Sequence, residues 1–121
     1  MDQAKGKVGR GGQMNNKQYE ELAQRTSNTV TNEDKILNGL LGLSGEVGEL
    51  VDHYKKYKFQ GHELDELYMI DECSDVLWYI VELLNGLESN LSDCMTYNIG
   101  KLEKRYPEGY FKAERSINRK G

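Results

Sequence analysis

The sequence predicts an all-α protein, arranged as a four-helix antiparallel bundle. Apolar residues recur every three or four positions along most of the 121-residue chain, which is the periodicity of one helix face. β-Branched residues never cluster with a period of two, so no segment has the pattern of a strand. The connections between the periodic segments are short, and short connections make neighbouring helices antiparallel.

Four segments carry this periodicity. Their approximate bounds are residues 16–26, 33–58, 63–87 and 91–106. An asparagine cap opens the first, a break at 59–62 ends the second, and a turn at 88–90 ends the third. Pro107, the only proline in the chain, stops the fourth. The apolar stripe of the third helix runs through Cys73, which we therefore expect to lie in the core.

The chain length supports one domain with flanking segments. Residues 1–13 are glycine-rich and aperiodic, so we expect a disordered leader or a cloning remnant. Residues 14–106 form the predicted helical domain. Residues 107–121 form a basic tail.

Composition excludes several classes of protein. No apolar stretch approaches the roughly 18 residues of a membrane span, and the N-terminus lacks the apolar block of a secretory signal. The net charge is −4, which argues against a nucleic-acid polymer as partner. Cys73 and Cys94 are too few for a disulfide scaffold, so we expect reduced thiols and a cytoplasmic location.

Charge is unevenly distributed along the chain. Residues 33–75 hold eleven acidic residues against four lysines, whereas residues 101–121 hold seven basic residues against three acidic ones. A solvated helix surface followed by a loose tail would give this pattern. The other interpretation is that the acidic middle holds cations and the basic end meets an anion.

Two pairs of carboxylates stand out in the acidic middle. Glu46 and Glu49 lie three residues apart on the second helix, and Glu72 and Asp75 lie three residues apart on the third, so each pair shares a helix face. If the two helices pack along their stripes, four carboxylates meet at one seam. Four converging anions are costly unless a cation neutralises them, and Mg²⁺ suits carboxylate oxygens beside a phosphate. The alternative is that all four point to solvent.

Other site chemistries fit less well. The chain lacks the Glu-x-x-His pairs of di-iron bundles, an EF-hand loop and a glycine-rich phosphate loop. His53 and His62 are expected at the surface and not as ligands. Gly39 and Gly42 lie on the same face of the second helix as Glu46. Their missing side chains either leave room for a ligand beside the carboxylates or allow another helix to pack closely.

The ordered motifs resemble a known family. GLLGLSGEVGELVDHYKK (residues 39–56), DECSDVLWYI (71–80) and NIGKLEKRYPEGYF (98–111) are similar to segments of the MazG-like, all-α nucleoside triphosphate pyrophosphohydrolases. That family's hallmark is ExxE on one helix and ExxD on the next. The resemblance covers about residues 19–119 and points to the short, single-domain type of stand-alone or phage proteins.

The resemblance implies hydrolysis of a nucleoside or deoxynucleoside triphosphate between the α and β phosphates, in nucleotide pool sanitation or control. It implies that Mg²⁺, with Mn²⁺ as a possible substitute, is bound by the four carboxylates, and that Glu46 or Glu49 accepts the proton of the attacking water. It also implies a homo-oligomer, a dimer or a dimer of dimers, with sites near subunit seams. The residues it suggests for phosphate or sugar binding are Lys56, Asn98, Lys101 and Arg105.

Two other functions stay open at this stage. A catalytically idle bundle could serve as a binding or regulatory module, and a phosphohydrolase could cut a different bond of a nucleotide. Trp78 and Tyr79 could stack on a base, but core packing is the simpler interpretation.

Overall fold

A computed structural model describes residues 13–118, and within that range the chain is all-helical, as the sequence predicted. No strand occurs among these residues, and none of their helices is long and apolar enough to cross a membrane. The helices are α1 (Asn16–Gln24), α2 (Asn32–Gln60), α3 (Glu66–Gly86), α4 (Leu91–Arg105) and α5 (Ala113–Ile117).

The two longest helices, α2 and α3, form an antiparallel hairpin that is the centre of the fold. Gly39 lies against Leu83 while Gly86 lies against the backbone oxygen of Asn32, so the chain directions oppose. A Cβ at Gly39 would stand 2.8 Å from the Leu83 Cβ, so the glycine is what lets the helices approach this closely. Gly61 ends α2 in the left-handed conformation, with a φ of 76°, which glycine adopts without strain.

The short helix α1 packs across α3 and α4. The Trp78 indole Nε1 donates to the Ala23 carbonyl oxygen at 3.2 Å and to the Thr26 hydroxyl at 2.9 Å. A Glu20 carboxylate oxygen accepts the backbone N–H of Leu91 at 3.1 Å, which satisfies a free donor at the start of α4. Trp78 therefore anchors α1 to the hairpin.

A buried carboxylate ties the α1–α2 connection to the hairpin. Glu82 is 0% exposed, and the structure places four neutral donors around it. These are Gln24 Nε2 at 3.0 Å, Ser27 Oγ at 3.1 Å, Thr29 Oγ1 at 2.8 Å and Asn38 Nδ2 at 3.0 Å. The sequence analysis did not single out this residue.

The helix ends differ from the predicted ones in ways that side chains explain. α3 begins at Glu66 and not at residue 63, because Asp65 caps it by accepting the Tyr68 N–H at 3.0 Å. α1 ends at Gln24 and α4 at Arg105, slightly earlier than expected. The basic tail contains a short helix that was not predicted, α5. Residues 1–12 of the predicted leader lie outside the described residues, and the domain boundaries stay predictions.

The prediction that Cys73 is a core residue is wrong, because Cys73 is exposed. The hairpin packs through the face of α3 that carries Glu72, Tyr79 and Leu83, and Cys73 lies about 100° around the helix axis from Glu72. The predicted stripe is therefore displaced from the α2 contact.

Large apolar side chains remain exposed along the hairpin. On α2 and α3 they include Leu37, Leu40, Leu41, Val47, Val51, Ile70 and Leu77. By contrast, Ala23 and Val81 are the buried hydrophobic side chains within the described range. The hairpin thus presents an apolar surface that one chain alone does not cover.

Candidate metal centre

Three of the four predicted ligands form one group at the seam of the hairpin. Glu46 comes from α2, and Glu72 and Asp75 come from α3. One carboxylate oxygen from each lies within 4.8 Å of the others. The antiparallel register brings residue 46 opposite residue 72, and the three-residue spacing puts Asp75 on the same face as Glu72.

Burial makes this group unusual for an acidic cluster. Glu72 is only 5% exposed. One oxygen of Glu46 and one of Glu72, Oε1 in each case, are buried without a hydrogen-bond partner. Buried acceptors without partners are rare, because each costs free energy that water would otherwise supply.

The pKa values of Glu46 and Glu72 also reflect how closely the carboxylates lie to one another. Hydrogen bonding to Glu72, then burial, then repulsion from Glu72, Glu49 and Asp75 raise the pKa of Glu46 to about 7. The pKa of Glu72 is lowered, first by its hydrogen bonding to Glu46 and then by Tyr68 and Glu49. In the absence of a cation, Glu46 therefore keeps its proton to a higher pH than an ordinary glutamate does.

Glu49, the fourth predicted ligand, lies beside this group and is not one of its three members. The pKa of Glu49 is raised, chiefly by hydrogen bonding to Glu72 and by the charge of Glu72. Its position one turn beyond Glu46 on α2 leaves it facing an open cleft. It is therefore near enough to complete a coordination shell or to act on a group held there.

The donor set fits a hard divalent cation. All the available atoms are carboxylate oxygens, which suit Mg²⁺ and Mn²⁺ better than soft metals. The two orphaned oxygens of Glu46 and Glu72 would gain the partner that they lack in the protein. This arrangement can hold a divalent cation.

A cleft of about 510 Å³ is lined in part by Glu49, which lies beside the carboxylate group. Its lining residues are Ser44, Gly45, Gly48, Glu49, Asp52, His53, Lys56, His62 and Tyr68. Lys56 is at the cleft, where its ammonium group pairs with Asp52 at 3.0 Å. The cleft therefore places a cationic side chain and several hydrogen-bond donors within reach of a ligand held by the carboxylates.

The remaining predicted ligand-binding residues lie elsewhere in this chain. Asn98, Lys101 and Arg105 are on α4, which packs on α1, and none of the three lines the cleft. The Lys101 ammonium lies 6.0 Å from the centre of the Tyr97 ring. A role for these three residues stays a prediction.

Comparison with known proteins decides the family. The sequence model described as "MazG nucleotide pyrophosphohydrolase domain" matches residues 35–110, which is more than half of the chain and includes all four carboxylates. The chain belongs to the MazG family. It is also similar to the Gene 37 protein of Mycobacterium phage L5, at 33% identity over 75 residues. That match covers 57% of this chain and 64% of the phage protein. No solved structure matches.

Sequence reasoning missed two tyrosines near the carboxylates of this MazG domain. Tyr68 lines the cleft, and hydrogen bonding to Glu72, then burial, then nearby carboxylates raise its pKa to about 12. Burial and the charge of Asp75 raise the pKa of Tyr19 on α1. The spacing of four residues between Tyr68 and Glu72 was the available signal, since i and i+4 share a helix face.

The raised pKa of Glu46 predicts how pH affects the stability of the metal-free MazG domain. Glu46 binds its proton more tightly in the folded chain than at its ordinary pKa of 4.5, so its contribution to stability is complete below about 4.5 and is lost as pH rises through about 7. We expect the Tm in EDTA to fall between pH 5.5 and pH 8 more steeply for the native chain than for Glu46→Gln. Scanning calorimetry across this range checks it, and equal slopes for both proteins would contradict it.

Proposed function

We propose that this chain hydrolyses nucleoside or deoxynucleoside triphosphates between the α and β phosphates, giving a monophosphate and pyrophosphate, with Mg²⁺ or Mn²⁺ as cofactor. The activity would serve nucleotide pool sanitation or control. The observation that carries this proposal is the buried carboxylate group with two orphaned oxygens, in a chain of the MazG nucleotide pyrophosphohydrolase family.

In this proposal Glu46, Glu72 and Asp75 hold the cation. When bound, such a cation neutralises phosphate charge and lowers the pKa of a coordinated water. The triphosphate would occupy the adjoining cleft, where Lys56 offers its ammonium group to a phosphate oxygen. The carboxylates thereby fix the position of the reacting phosphate relative to the residues of the cleft.

Glu49 is our choice for the general base. It faces the cleft and stands next to the carboxylate group without belonging to it, so its oxygens are available to a water molecule. The water oxygen attacks one of the two phosphorus atoms of the α–β linkage while a proton of the water passes to Glu49. The bond between that phosphorus and the oxygen that bridges the α and β phosphates breaks, and pyrophosphate and the monophosphate separate.

The proposal includes a homo-oligomer, a dimer or a dimer of dimers. Its support is the exposed apolar surface of α2 and α3, which includes Leu41 and Val51 at 65% and 62% exposure. Covering such a surface is favourable by about 25 cal/mol per Å². In the single chain Asn98, Lys101 and Arg105 stand outside the cleft, so we propose that they contact phosphate or sugar across a subunit seam.

The test is a panel of ribo- and deoxyribonucleoside triphosphates incubated with the protein and Mg²⁺, with products identified by ³¹P NMR. We expect pyrophosphate and the corresponding monophosphate. Orthophosphate and a diphosphate would indicate cleavage of a different bond and contradict the proposed reaction. Binding of a nucleotide without any cleavage would instead support the idle binding module. Sedimentation velocity on the same preparation tests the oligomer, and a monomer would contradict that part.

A further inference from the structure

A closed set of contacts holds Tyr68 at the junction of α2 and α3. The Asp65 side chain caps α3 by accepting the Tyr68 backbone N–H at 3.0 Å. The backbone N–H of Asp65 in turn donates to the His53 Nε2 on α2 at 3.1 Å. The His53 ring then packs on the Tyr68 ring, with centroids 4.8 Å apart. Each of the three residues is thus fixed by the other two.

These contacts also hold the ring of His53 in place. Its Nε2 accepts the backbone N–H of Asp65, and its ring packs on the Tyr68 ring. The ring is therefore held by one directional hydrogen bond and one aromatic contact, from residues on the other helix. Because His53 is held in this way, it can in turn restrict the position of the Tyr68 ring.

Tyr68 lies beside the carboxylates of the seam, on the cleft that Glu49 also lines. Tyr68 precedes Glu72 by one helical turn, so both occupy one face of α3, and Tyr68 lines the same cleft as Glu49 of α2. A phenol hydroxyl can donate a hydrogen bond to a carboxylate without adding charge to the group. Glu72 is 5% exposed and keeps one oxygen without a hydrogen-bond partner, so a donor beside it leaves an oxygen for a cation.

We infer that Tyr68 is a positioning residue of the cation site: its hydroxyl orients the Glu72 carboxylate, and His53 orients Tyr68. This inference rests on the proposed function for the cation site, but it concerns how the ligands are held and not which bond is cut. Hydrogen-bond partners of metal-ligating carboxylates fix ligand geometry, and their loss typically weakens metal affinity 10- to 100-fold.

The test measures Mn²⁺ affinity of the full chain, from the free Mn²⁺ signal in electron paramagnetic resonance, without any nucleotide. Tyr68→Phe keeps the ring packed on His53 and removes only the hydroxyl, and we expect it to weaken Mn²⁺ binding about tenfold. Tyr97→Phe is the matched control, because Tyr97 is 73% exposed on α4, and it should bind Mn²⁺ like the native chain.

A double-mutant cycle with His53→Ala separates positioning from folding. If His53 acts through Tyr68, His53→Ala weakens Mn²⁺ binding in the native background and has little further effect in Tyr68→Phe. Circular dichroism at the same temperature verifies that each variant is folded. Unchanged affinity in folded Tyr68→Phe, additive effects in the cycle, or no Mn²⁺ binding by the native chain would each overturn the inference. Tight Mn²⁺ binding that depends on Tyr68, in a chain that releases no pyrophosphate, would overturn the proposed reaction and leave this inference standing.

Discussion

Glu72→Gln is expected to reduce pyrophosphate release by a factor on the order of 10²–10³, because it removes the proposed ligand that joins the two helices of the site. Glu72 is 5% exposed and is the carboxylate through which Glu46 and Glu49 both interact. Glutamine keeps the volume and one oxygen but removes the charge. A buried neutral amide cannot neutralise a divalent cation, so we expect Mn²⁺ affinity to fall together with turnover.

The measurement is initial-rate pyrophosphate release at saturating Mg²⁺, with Mn²⁺ affinity measured in parallel. Asp75→Asn should lower both quantities in the same way, because Asp75 supplies the third oxygen of the group. Glu103→Gln on the exposed surface of α4 removes an identical charge and should leave both quantities unchanged. Near-native turnover in Glu72→Gln would show that the carboxylate group is not the reaction site.

Periodicity was sufficient to predict the carboxylate pairs and the helices that carry them. Three-residue spacing fixes two side chains on one face whatever the helix packs against, and a short connection between two long helices forces them to be antiparallel. Whether Glu46 and Glu72 meet also depends on register and helix rotation, and the structure brings them together. The end of α2 at Gly61 follows from equally local chemistry, since glycine takes a positive φ at a helix end without strain.

The rotation of α3 about its own axis was not predictable in the same way. An apolar stripe through Cys73 suggested the buried face, but the contact with α2 is made by Tyr79 and Leu83 against small residues of α2. A helix that packs on two partners has two buried faces, and a single sequence does not say which face meets which partner. The apolar stripe of α3 that is exposed in the single chain would be covered by a second subunit in the proposed oligomer.

Tyr68 and Glu82 were missed for related reasons. An aromatic residue at helical spacing is ordinarily interpreted as core, so the hydroxyl of Tyr68 gave no separate signal. Glu82 lies between Val81 and Leu83 in an apolar segment of α3. A single acidic residue in such a segment can be buried as a carboxylate only if hydrogen-bond donors surround it. Those donors come from α1, the α1–α2 connection and α2, more than forty positions away along the chain.

Glu82 should be the residue whose loss most destabilises the fold. Burial alone raises the pKa of this carboxyl, but the hydrogen bonds from Gln24, Asn38, Thr29 and Ser27 outweigh burial and leave the pKa below its ordinary value. The carboxylate is therefore ionised in the folded chain at neutral pH. Its contribution to stability is present above pH 4.5 and is lost as pH falls through the lowered pKa.

Glu82→Ala leaves four donors without an acceptor and opens a cavity. We expect a loss of about 3 kcal/mol or more in the free energy of unfolding, which for a chain of this size lowers the Tm by roughly 10–25 °C. Urea unfolding followed by circular dichroism measures the change. Glu103→Ala is the matched control and should stay within about 0.5 kcal/mol of the native chain, because its site is exposed.

Glu82→Gln distinguishes the carboxylate's charge from its shape. Glutamine fills the same volume but offers one acceptor oxygen, and its amide nitrogen must face at least one of the four donors. We therefore expect a loss of stability smaller than that of Glu82→Ala, and a weaker decline of stability as pH is lowered below 4.5. If Glu82→Gln matched the native chain in stability at pH 7, the four donors would not require an anion, and Glu82 would be buried in its protonated form. The measured slope against pH separates these two states, because only an ionised Glu82 must take up a proton when acid weakens the fold.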